Sequence, residues 1–226
     1  MVAVYVWEVD RLKSAATALE GLRMRVFLAA AIFGTALAAV GASQERQDSA
    51  TSNSLERSFV PNGRIRMDLS AGQYRISGSS DNRIRVAWSV RDSAKLSRVR
   101  ARAEVRGSDA TITTDGPQND FRVSIDIPRR ADLHVRLTAG ELMVEHVQGN
   151  KDISSHAGEV DIYAGNPAEY RRVEASVWAG ELHVGPFGRD TEGLFRSFDW
   201  RGKGPYTLSA HLKAGELRLH ASWDAK

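Results

Sequence analysis

The sequence predicts an all-β fold: an irregular right-handed β-roll or short single-stranded β-helix of stacked repeats, with a β-sandwich as the alternative. The first observation is internal repetition, because two alternating runs joined by Ala-Gly-Glu, or by Ala-Gly-Gln in the first copy, occur five times. The copies are LSAGQYRI at 69–76, LTAGELMV at 137–144, SHAGEVDI at 155–162, VWAGELHV at 177–184 and LKAGELRL at 212–219. Such repetition favours stacked coils over a fold built around one enzyme pocket.

The second observation is the alternation of apolar and polar residues around each glycine. The residues two and four positions after the glycine are apolar in every copy, and the residue between them is mostly polar. Since successive side chains of a strand point to opposite faces, each copy predicts a strand with one buried and one solvated face. The Ala-Gly pair then lies at a corner between two short strands, where glycine permits a bend or a close backbone approach. These structural turn glycines are Gly72, Gly140, Gly158, Gly180 and Gly215.

The spacing of the corner glycines predicts an irregular stack. Successive intervals are 68, 18, 22 and 35 residues, and the short ones match one coil of a β-solenoid. The wider intervals contain additional predicted strands at 83–90, 121–127 and 132–137. The segment 93–105 also reads as strand, because arginines alternate with apolar residues in its second part. A Gly/Pro-turned hairpin is predicted at 198–212, where it would cap the end of the stack.

The first 57 residues are expected to lie outside the folded domain. Residues 26–40 form a 15-residue apolar run, which is short for a membrane span and suits the core of a signal peptide. Residues 1–42 are therefore predicted to be a signal peptide, with Met24 as an alternative start and a membrane anchor as the alternative interpretation. The polar segment 43–57 is predicted to be a disordered linker, and 58–226 to form the repeat β domain.

Composition limits the compartment and the chemistry. The chain contains no cysteine, which excludes a disulfide framework and lipidation of a cysteine after the signal. With a signal peptide, we expect export to the periplasm, the outer-membrane surface or the extracellular space. No nucleophile elbow, phosphate loop or zinc-protease motif is present. The sequence therefore predicts neither catalytic residues nor a cofactor.

Arginine is concentrated in the first half of the predicted domain. Residues 58–136 contain 15 basic and 9 acidic side chains, whereas 137–226 contain 10 and 13. Many of these arginines occupy solvated strand positions and form a predicted stripe for an anionic ligand, such as lipopolysaccharide phosphates, an anionic glycan or a membrane surface. The alternative is that they keep an exposed sheet soluble and blunt edge pairing. The stripe consists of Arg64, Arg66, Arg83, Arg85, Arg98, Arg100 and Arg102.

Tryptophans and glutamates supply two further groups of candidate residues. Trp88, Trp178 and Trp200 are candidates for stacking on sugar rings, with packing against a neighbouring coil as the alternative. The glutamates after the corner glycines would form a column spaced by about 4.8 Å. That column is interpreted as structural, with a Ca²⁺ site or catalysis as the alternatives. Its members are Glu141, Glu159, Glu181 and Glu216. The six histidines are expected on solvated strand faces, and they predict no metal site.

The repeated runs resemble a known bacterial family. They read IRMDLSAGQYRISGS at 65–79, VRLTAGELMVEHVQG at 135–149, SSHAGEVDIYAG at 154–165 and VWAGELHVGPFG at 177–188. They are similar to the family labelled putative adhesin, a DUF4097-type β-roll domain of unknown function, over most of 58–226. The resemblance implies a secreted, adhesin-like β-roll and carries no catalytic residues to this chain. Between 91 and 130 the sequence departs from the family's regular ladder, so an interruption of the roll is expected there.

Together these patterns predict an exported, non-catalytic adhesin-like or structural binding module that contacts the cell envelope or a glycan. Its expected partners are an envelope glycan, lipopolysaccharide or another envelope protein. Nucleic acid is not expected for an exported chain, and any membrane contact would be peripheral. Two alternatives stay open: a periplasmic envelope-stress or regulatory binding protein, and a β-helical polysaccharide-active enzyme.

Overall fold

The computed structural model describes residues 52–117, 120–188 and 190–221, and it confirms the all-β prediction. The described chain forms thirteen strands and three short 3-10 helices, at Ser93–Arg98, Pro167–Glu169 and Gly185–Phe187. The strands are β1 (Ser52–Ser58), β2 (Gly63–Leu69), β3 (Gly72–Ser79), β4 (Arg83–Val90), β5 (Arg100–Arg106), β6 (Asp109–Asp115), β7 (Phe121–Pro128), β8 (Ala131–Leu137), β9 (Gly140–Glu145), β10 (Lys151–Tyr163), β11 (Tyr170–His183), β12 (Thr191–Arg201) and β13 (Tyr206–His220). The predicted signal peptide and residues 43–51 of the predicted linker lie outside the described residues.

The five repeated copies stack as parallel coils with their corner glycines side by side. Gly72 pairs with Gly140, which pairs with Gly158, and Gly215 lies between Gly158 and Gly180. Strands β10, β11 and β13 pass through the corner as single long strands, whereas the first two copies are divided there into β2 with β3 and β8 with β9. Parallel stacking in register is expected of a β-roll and differs from the antiparallel pairing of a β-sandwich.

The order of the coils in space differs from their order along the chain. The fifth copy, on β13, pairs in parallel with β10 on one side and with β11 on the other. On its other edge β11 pairs antiparallel with β12, and β12 ends the stack at that side. The predicted hairpin at 198–212 is therefore wrong, because β12 and β13 lie on opposite edges of β11. The terminal strand is β12, and the last repeat fills a place inside the stack.

The opposite end of the stack is built from residues that lack the repeated motif. Strand β6 pairs in parallel with β2, and β7 pairs in parallel with β3, so residues 109–128 add one more coil beside the first copy. Strands β5 and β4 pair antiparallel with β6 and β7, and β1 pairs antiparallel with β4. The irregularity expected between 91 and 130 is thus a change of chain order and strand direction, and the stack continues through it.

Two predicted boundaries differ from the structure. Residues 52–57, which the sequence analysis assigns to the linker, belong to β1, which pairs with β4 from Ser52 opposite Ser89 to Ser58 opposite Arg83. All but one of its side chains are exposed, so the strand is held by backbone pairing and has no apolar alternation to detect.

Residues 93–98 form a 3-10 helix, because the Asp92 carboxylate accepts a hydrogen bond from Ala94 N at 3.0 Å. The second part of that segment is strand β5, as predicted.

The hydrophobic core consists of inward-facing rows from both halves of the coils. One such row is Tyr74, Leu142, Val160, Leu217 and Leu182, in which every side chain is at most 3% exposed. Burying one side chain of this size stabilises the fold by about 1.5–3 kcal/mol, so the stacked rows are the main source of stability. No helix within the described ranges is long and apolar enough to cross a membrane.

Four of the corner glycines have a backbone conformation that other residues rarely adopt. Their φ angles are +116° at Gly140, +117° at Gly158, +126° at Gly215 and +135° at Gly180. A Cβ atom at each of them would lie 1.9–2.0 Å from the carbonyl oxygen of the glycine in the adjacent coil. At Gly72 a Cβ would lie 2.9 Å from the carbonyl oxygen of Phe121. Because these glycines have no side chain, the backbones of adjacent coils can approach closely at the corner.

Candidate binding groove

The largest cavity is a groove that runs across the coils on the outer side of the glycine corners. It encloses about 930 Å³, and its floor includes the buried side chains of Leu69, Leu137, Val177 and Leu212. We call it the corner groove. It extends from β6 to β12, which is six strand spacings or ~29 Å. The row of side chains nearest the corner consists of Asp115, Ser70, Thr138, His156, Lys213, Trp178 and Phe195.

The middle of the corner groove contains two cationic side chains and a histidine. Arg136, His156 and Lys213 line it on the adjacent strands β8, β10 and β13. Within the described part of the chain, none of these three side chains makes an ion pair or a side-chain hydrogen bond. The acidic groups lie on β2 and β6: Asp68 is in register with Arg136 of the adjacent strand but is paired with Arg66 on its own strand. Asp115 lies on β6. Around Lys213, therefore, the groove presents positive charge next to an apolar floor.

The β12 end of the corner groove is aromatic. Trp178 is 57% exposed and Phe195 is 69% exposed, and their ring centroids lie 5.6 Å apart at an interplanar angle of 89°. Phe195 has a φ of +55°, which is rare for a bulky side chain and costs conformational energy. The strained, exposed Phe195 therefore lies at the same end of the groove as the exposed Trp178.

A histidine between the cationic and aromatic parts is held by two serines. His211 Nδ1 lies 2.7 Å from Ser176 Oγ, and its Nε2 lies 3.0 Å from Ser209 Oγ. In the Ser-His-Asp arrangement, the histidine that activates the serine is oriented in turn by a carboxylate. His211 contacts a second serine instead. The pair therefore serves as a polar, oriented wall of the groove.

The opposite outer face, formed by the strand halves after the corner, carries the glutamate column. Glu141, Glu159, Glu216 and Glu181 lie on consecutive strands in that spatial order. Arg218 reaches three acidic side chains: it pairs with Glu216, and its Nη1 lies 3.5 Å from Glu159 and 3.4 Å from Asp161. Although burial opposes the shift, the hydrogen bond to Glu216 raises the pKa of Arg218.

His183 compensates the other end of the glutamate column. Its Nε2 lies 3.2 Å from both Glu181 and Glu216, and its Nδ1 lies 3.3 Å from Asp190. Burial lowers the pKa of His183, but hydrogen bonds to Asp190 and Glu181 outweigh it and the net shift is upward. On this face, therefore, positive and negative side chains largely neutralise one another.

One trio on this face has the spacing of a metal site. Donor atoms of Glu181, His183 and Glu216 all lie within 4.8 Å of one another. His183 already makes contacts at hydrogen-bond distance with both carboxylates, and Glu216 also pairs with Arg218. A cation would have to displace these contacts, so the trio is better described as part of the ion-pair network.

The predicted arginine stripe is divided in the structure. Arg64 and Arg66 lie on β2, and Arg100 and Arg102 lie on β5, with β6 between them. All four are exposed on the half of the coils that precedes the corner. Arg98 ends the first 3-10 helix. Arg64 is paired with Asp109 at 3.0 Å and Arg66 with Asp68 at 3.1 Å.

The remaining two arginines of the predicted stripe belong to the other half of the coils. Arg83 and Arg85 lie on β4 and share one partner, Glu56 of β1, at 2.8 and 3.2 Å. Hydrogen bonds from Arg83 and Arg85 lower the pKa of Glu56. These two arginines therefore help to hold β1 on the sheet edge, and the seven residues do not form one continuous surface.

The three candidate tryptophans have different surroundings. Trp178 lines the corner groove, whereas Trp88 and Trp200 are partly buried against the hydrophobic core. The ring centroid of Trp200 lies 5.2 Å from that of Phe187. The sequence analysis missed the other groove residues, although a signal was available. The position two residues before each corner glycine holds Ser70, Thr138, His156, Trp178 and Lys213, which is the row nearest the corner.

No family model and no curated protein sequence matches the chain. Among solved structures, it is similar to a putative cell adhesion protein from Clostridium sporogenes, with 12% identity over 76% of this chain and 100% of that chain and a TM-score of 0.49. It is also similar to a putative adhesin from Parabacteroides distasonis, with 11% identity over 76% and 98% and a TM-score of 0.23. A putative adhesin from Bacteroides fragilis shows 8% identity over 76% and 98% and a TM-score of 0.25. Identities and TM-scores this low do not indicate a function, so the function has to be inferred from the residues of the chain itself.

Proposed function

We propose that the protein is an exported, non-catalytic binding module that attaches to a glycan of the cell envelope through the corner groove. The observation that carries the proposal is the combination of side chains in this one cavity. An exposed pair of aromatic rings, Trp178 and Phe195, lies beside cationic side chains that have no partner among the described residues.

A glycan fits this combination better than a purely apolar ligand does. Aromatic side chains present an apolar surface, and the C–H face of a sugar ring is an apolar surface of similar width. Hydroxyl groups of Thr138, Ser154, Ser176 and Ser197 line the same groove and can exchange hydrogen bonds with sugar hydroxyls.

The non-catalytic part of the proposal is supported by the chemistry of the groove. His211 is held by Ser176 and Ser209, and among the described residues no carboxylate contacts it to orient it for base catalysis. The acidic residues Asp68 and Asp115 lie at the β6 end, away from the aromatic pair at β12. This arrangement of side chains can bind a ligand.

The test is co-sedimentation of the purified protein with sacculi, outer-membrane vesicles and insoluble polysaccharides. We expect the protein to pellet with a polysaccharide-containing fraction, and Trp178→Ala to reduce the pelleted amount at least fivefold. Val60→Ala serves as the control, because it removes an exposed apolar side chain outside the groove. If Trp178→Ala keeps the wild-type melting temperature and pellets like wild type, the groove is not the binding site.

A further inference from the structure

We propose that the glycan bound in the corner groove is a linear polyanion whose chain lies across the strands, with a sugar ring on Trp178 and acidic groups at Arg136 and Lys213. This inference rests on the proposed function and specifies its ligand. It follows from three features of the groove: its charge, its length and the position of its aromatic end.

The charge argument comes from the contrast between the two outer faces. On the face with the glutamate column, Arg218 and His183 each contact several carboxylates. In the corner groove, Arg136 and Lys213 contact no carboxylate among the described residues. Both faces are built from the same repeats, so the difference lies in which side chains the repeats carry outward. Cations left unpaired around an apolar floor favour an anionic ligand.

The length argument comes from the register of the strands. Thr138 of one coil is followed by His156, Lys213 and Trp178 on the next three strands. Successive side chains in this row lie one strand spacing apart, about 4.8 Å. A compact head group would contact one or two of them, whereas a linear chain laid across the strands meets all of them in turn. Lys213 and Trp178 belong to this row, and Arg136 lies two residues before Thr138 on the same outer face of β8. These three residues are therefore interpreted as subsites for one extended molecule.

The aromatic end distinguishes an acidic glycan from other polyanions. A polyphosphate or an acidic peptide would use the cations but has no sugar ring to place on Trp178. Trp178 makes an edge-to-face contact with Phe195 and keeps much of its surface exposed at this end of the groove. An indole face of this kind stacks on an apolar ring face. The same end lies next to the terminal strand β12, where a long chain can leave the stack.

The experiment measures binding of the purified protein to oligogalacturonates of increasing length, as model acidic glycans. The comparison probes are neutral dextran, polyglutamate and phosphatidylglycerol vesicles. We expect affinity for oligogalacturonates to rise with length and to level off once the oligomer exceeds ~14 Å, the three strand spacings from Arg136 on β8 to Trp178 on β11. Raising the salt concentration from 50 to 500 mM should weaken this binding at least tenfold, because exposed charges are then screened.

Variants separate the charge and ring contributions. Lys213→Glu and Arg136→Glu should each weaken oligogalacturonate binding at least tenfold, whereas Lys203→Glu, an exposed lysine outside the groove, should leave it within twofold. Trp178→Ala should weaken binding to oligogalacturonate and leave the weak binding to polyglutamate unchanged. Equal affinity for dextran and oligogalacturonate overturns the anionic ligand, and length-independent affinity overturns the extended one. Binding to vesicles without binding to any saccharide overturns the glycan and identifies a lipid surface.

Failure of this inference can be told apart from failure of the proposed function. If dextran binding is lost in Trp178→Ala while Lys213→Glu binds normally, the groove holds a glycan but the polyanion is excluded. If no saccharide binds and no envelope polysaccharide is pelleted, the proposed function itself is contradicted.

Discussion

At the scale of single residues, Lys151 is the least expected member of the core. It opens β10 at a position where the neighbouring strands carry Leu133 and Leu208, and it is 2% exposed. Its ammonium donates hydrogen bonds to Tyr170 Oη at 2.9 Å and to the carbonyl oxygen of Gly149 at 3.3 Å. Burial lowers the pKa of Lys151 to about 7. The positive charge is therefore disfavoured in the folded state.

This residue predicts an unusual dependence of stability on pH. Because the pKa of Lys151 is about 7 when folded and that of an unfolded lysine is about 10.4, the unfolded state binds more protons between these values. The free energy of unfolding should gain up to ~1.4 kcal/mol per pH unit from this group as the pH rises above 7, and the destabilisation should be fully present below pH 7. Urea unfolding at pH 6–10 measures the slope.

Lys151→Met provides the comparison. Methionine keeps the apolar stem, and Tyr170 Oη still donates to the carbonyl oxygen of Ala164 at 2.9 Å. We expect the variant to lose most of the slope above pH 7 and to be the more stable protein at pH 6. Identical pH profiles for the two proteins would show that protonation of Lys151 does not destabilise the folded state.

The corner glycines give a second prediction at this scale. Gly158→Ala should destabilise the protein by more than about 3 kcal/mol, because its Cβ would lie 1.9 Å from the carbonyl oxygen of Gly140 and its φ is +117°. Gly107→Ala is the matched control, since Gly107 also has a positive φ, of +62°, but has no heavy atom within 4 Å of the added Cβ. Gly107→Ala should lower the free energy of unfolding by about 1 kcal/mol, which is the cost of the positive φ alone. Equal losses in urea unfolding would refute the close-packed corner.

At the scale of elements, the strands were predictable and their order was not. Alternation around Gly140, Gly158, Gly180 and Gly215 predicts strands in the right places, because it reflects burial of one face. Nothing in that pattern distinguishes a neighbour in sequence from a neighbour in space, so the insertion of β13 between β10 and β11 went undetected. Strand β1 was missed because its exposed side chains leave only backbone pairing. The groove was missed for a similar reason: its residues share a position in the repeat but no common chemistry.

The inserted strand makes a prediction about cooperativity. Strands β11 and β12 are joined to the rest of the stack by pairing through β13, since β10 pairs with β8, β9 and β13. A chain truncated after Gly204 lacks β13 and should lose amide protection throughout 170–201. A chain truncated after Ala221 keeps β13 and should retain amide protection in 170–201. Hydrogen exchange measures this protection in the two truncated chains. Retained protection of β11 in the shorter chain would mean that it can pair directly with β10.

At the scale of the whole molecule, the two outer faces differ in how their charged side chains are paired. The repeats place polar side chains outward on both sides of the corner. After the corner these side chains form a network of ion pairs, while before it they line the corner groove with unpaired cations. Strand β13 passes through both faces, with Lys213 in the groove and Arg218 in the network. One strand therefore allows the two roles to be tested in the same structural context.

Neutralising each of these two residues should produce opposite phenotypes. Arg218→Gln leaves Glu159, Asp161 and Glu216 without their shared cation and should lower the free energy of unfolding by about 1–2 kcal/mol at pH 7 while keeping oligogalacturonate affinity within twofold. Lys213→Gln should change stability by less than about 0.5 kcal/mol, as is usual for an unpaired surface residue, and should weaken binding at least fivefold. Urea unfolding and binding titrations on the same samples measure both quantities. If Lys213→Gln lost stability and Arg218→Gln lost binding, the assignment of the two faces would be reversed.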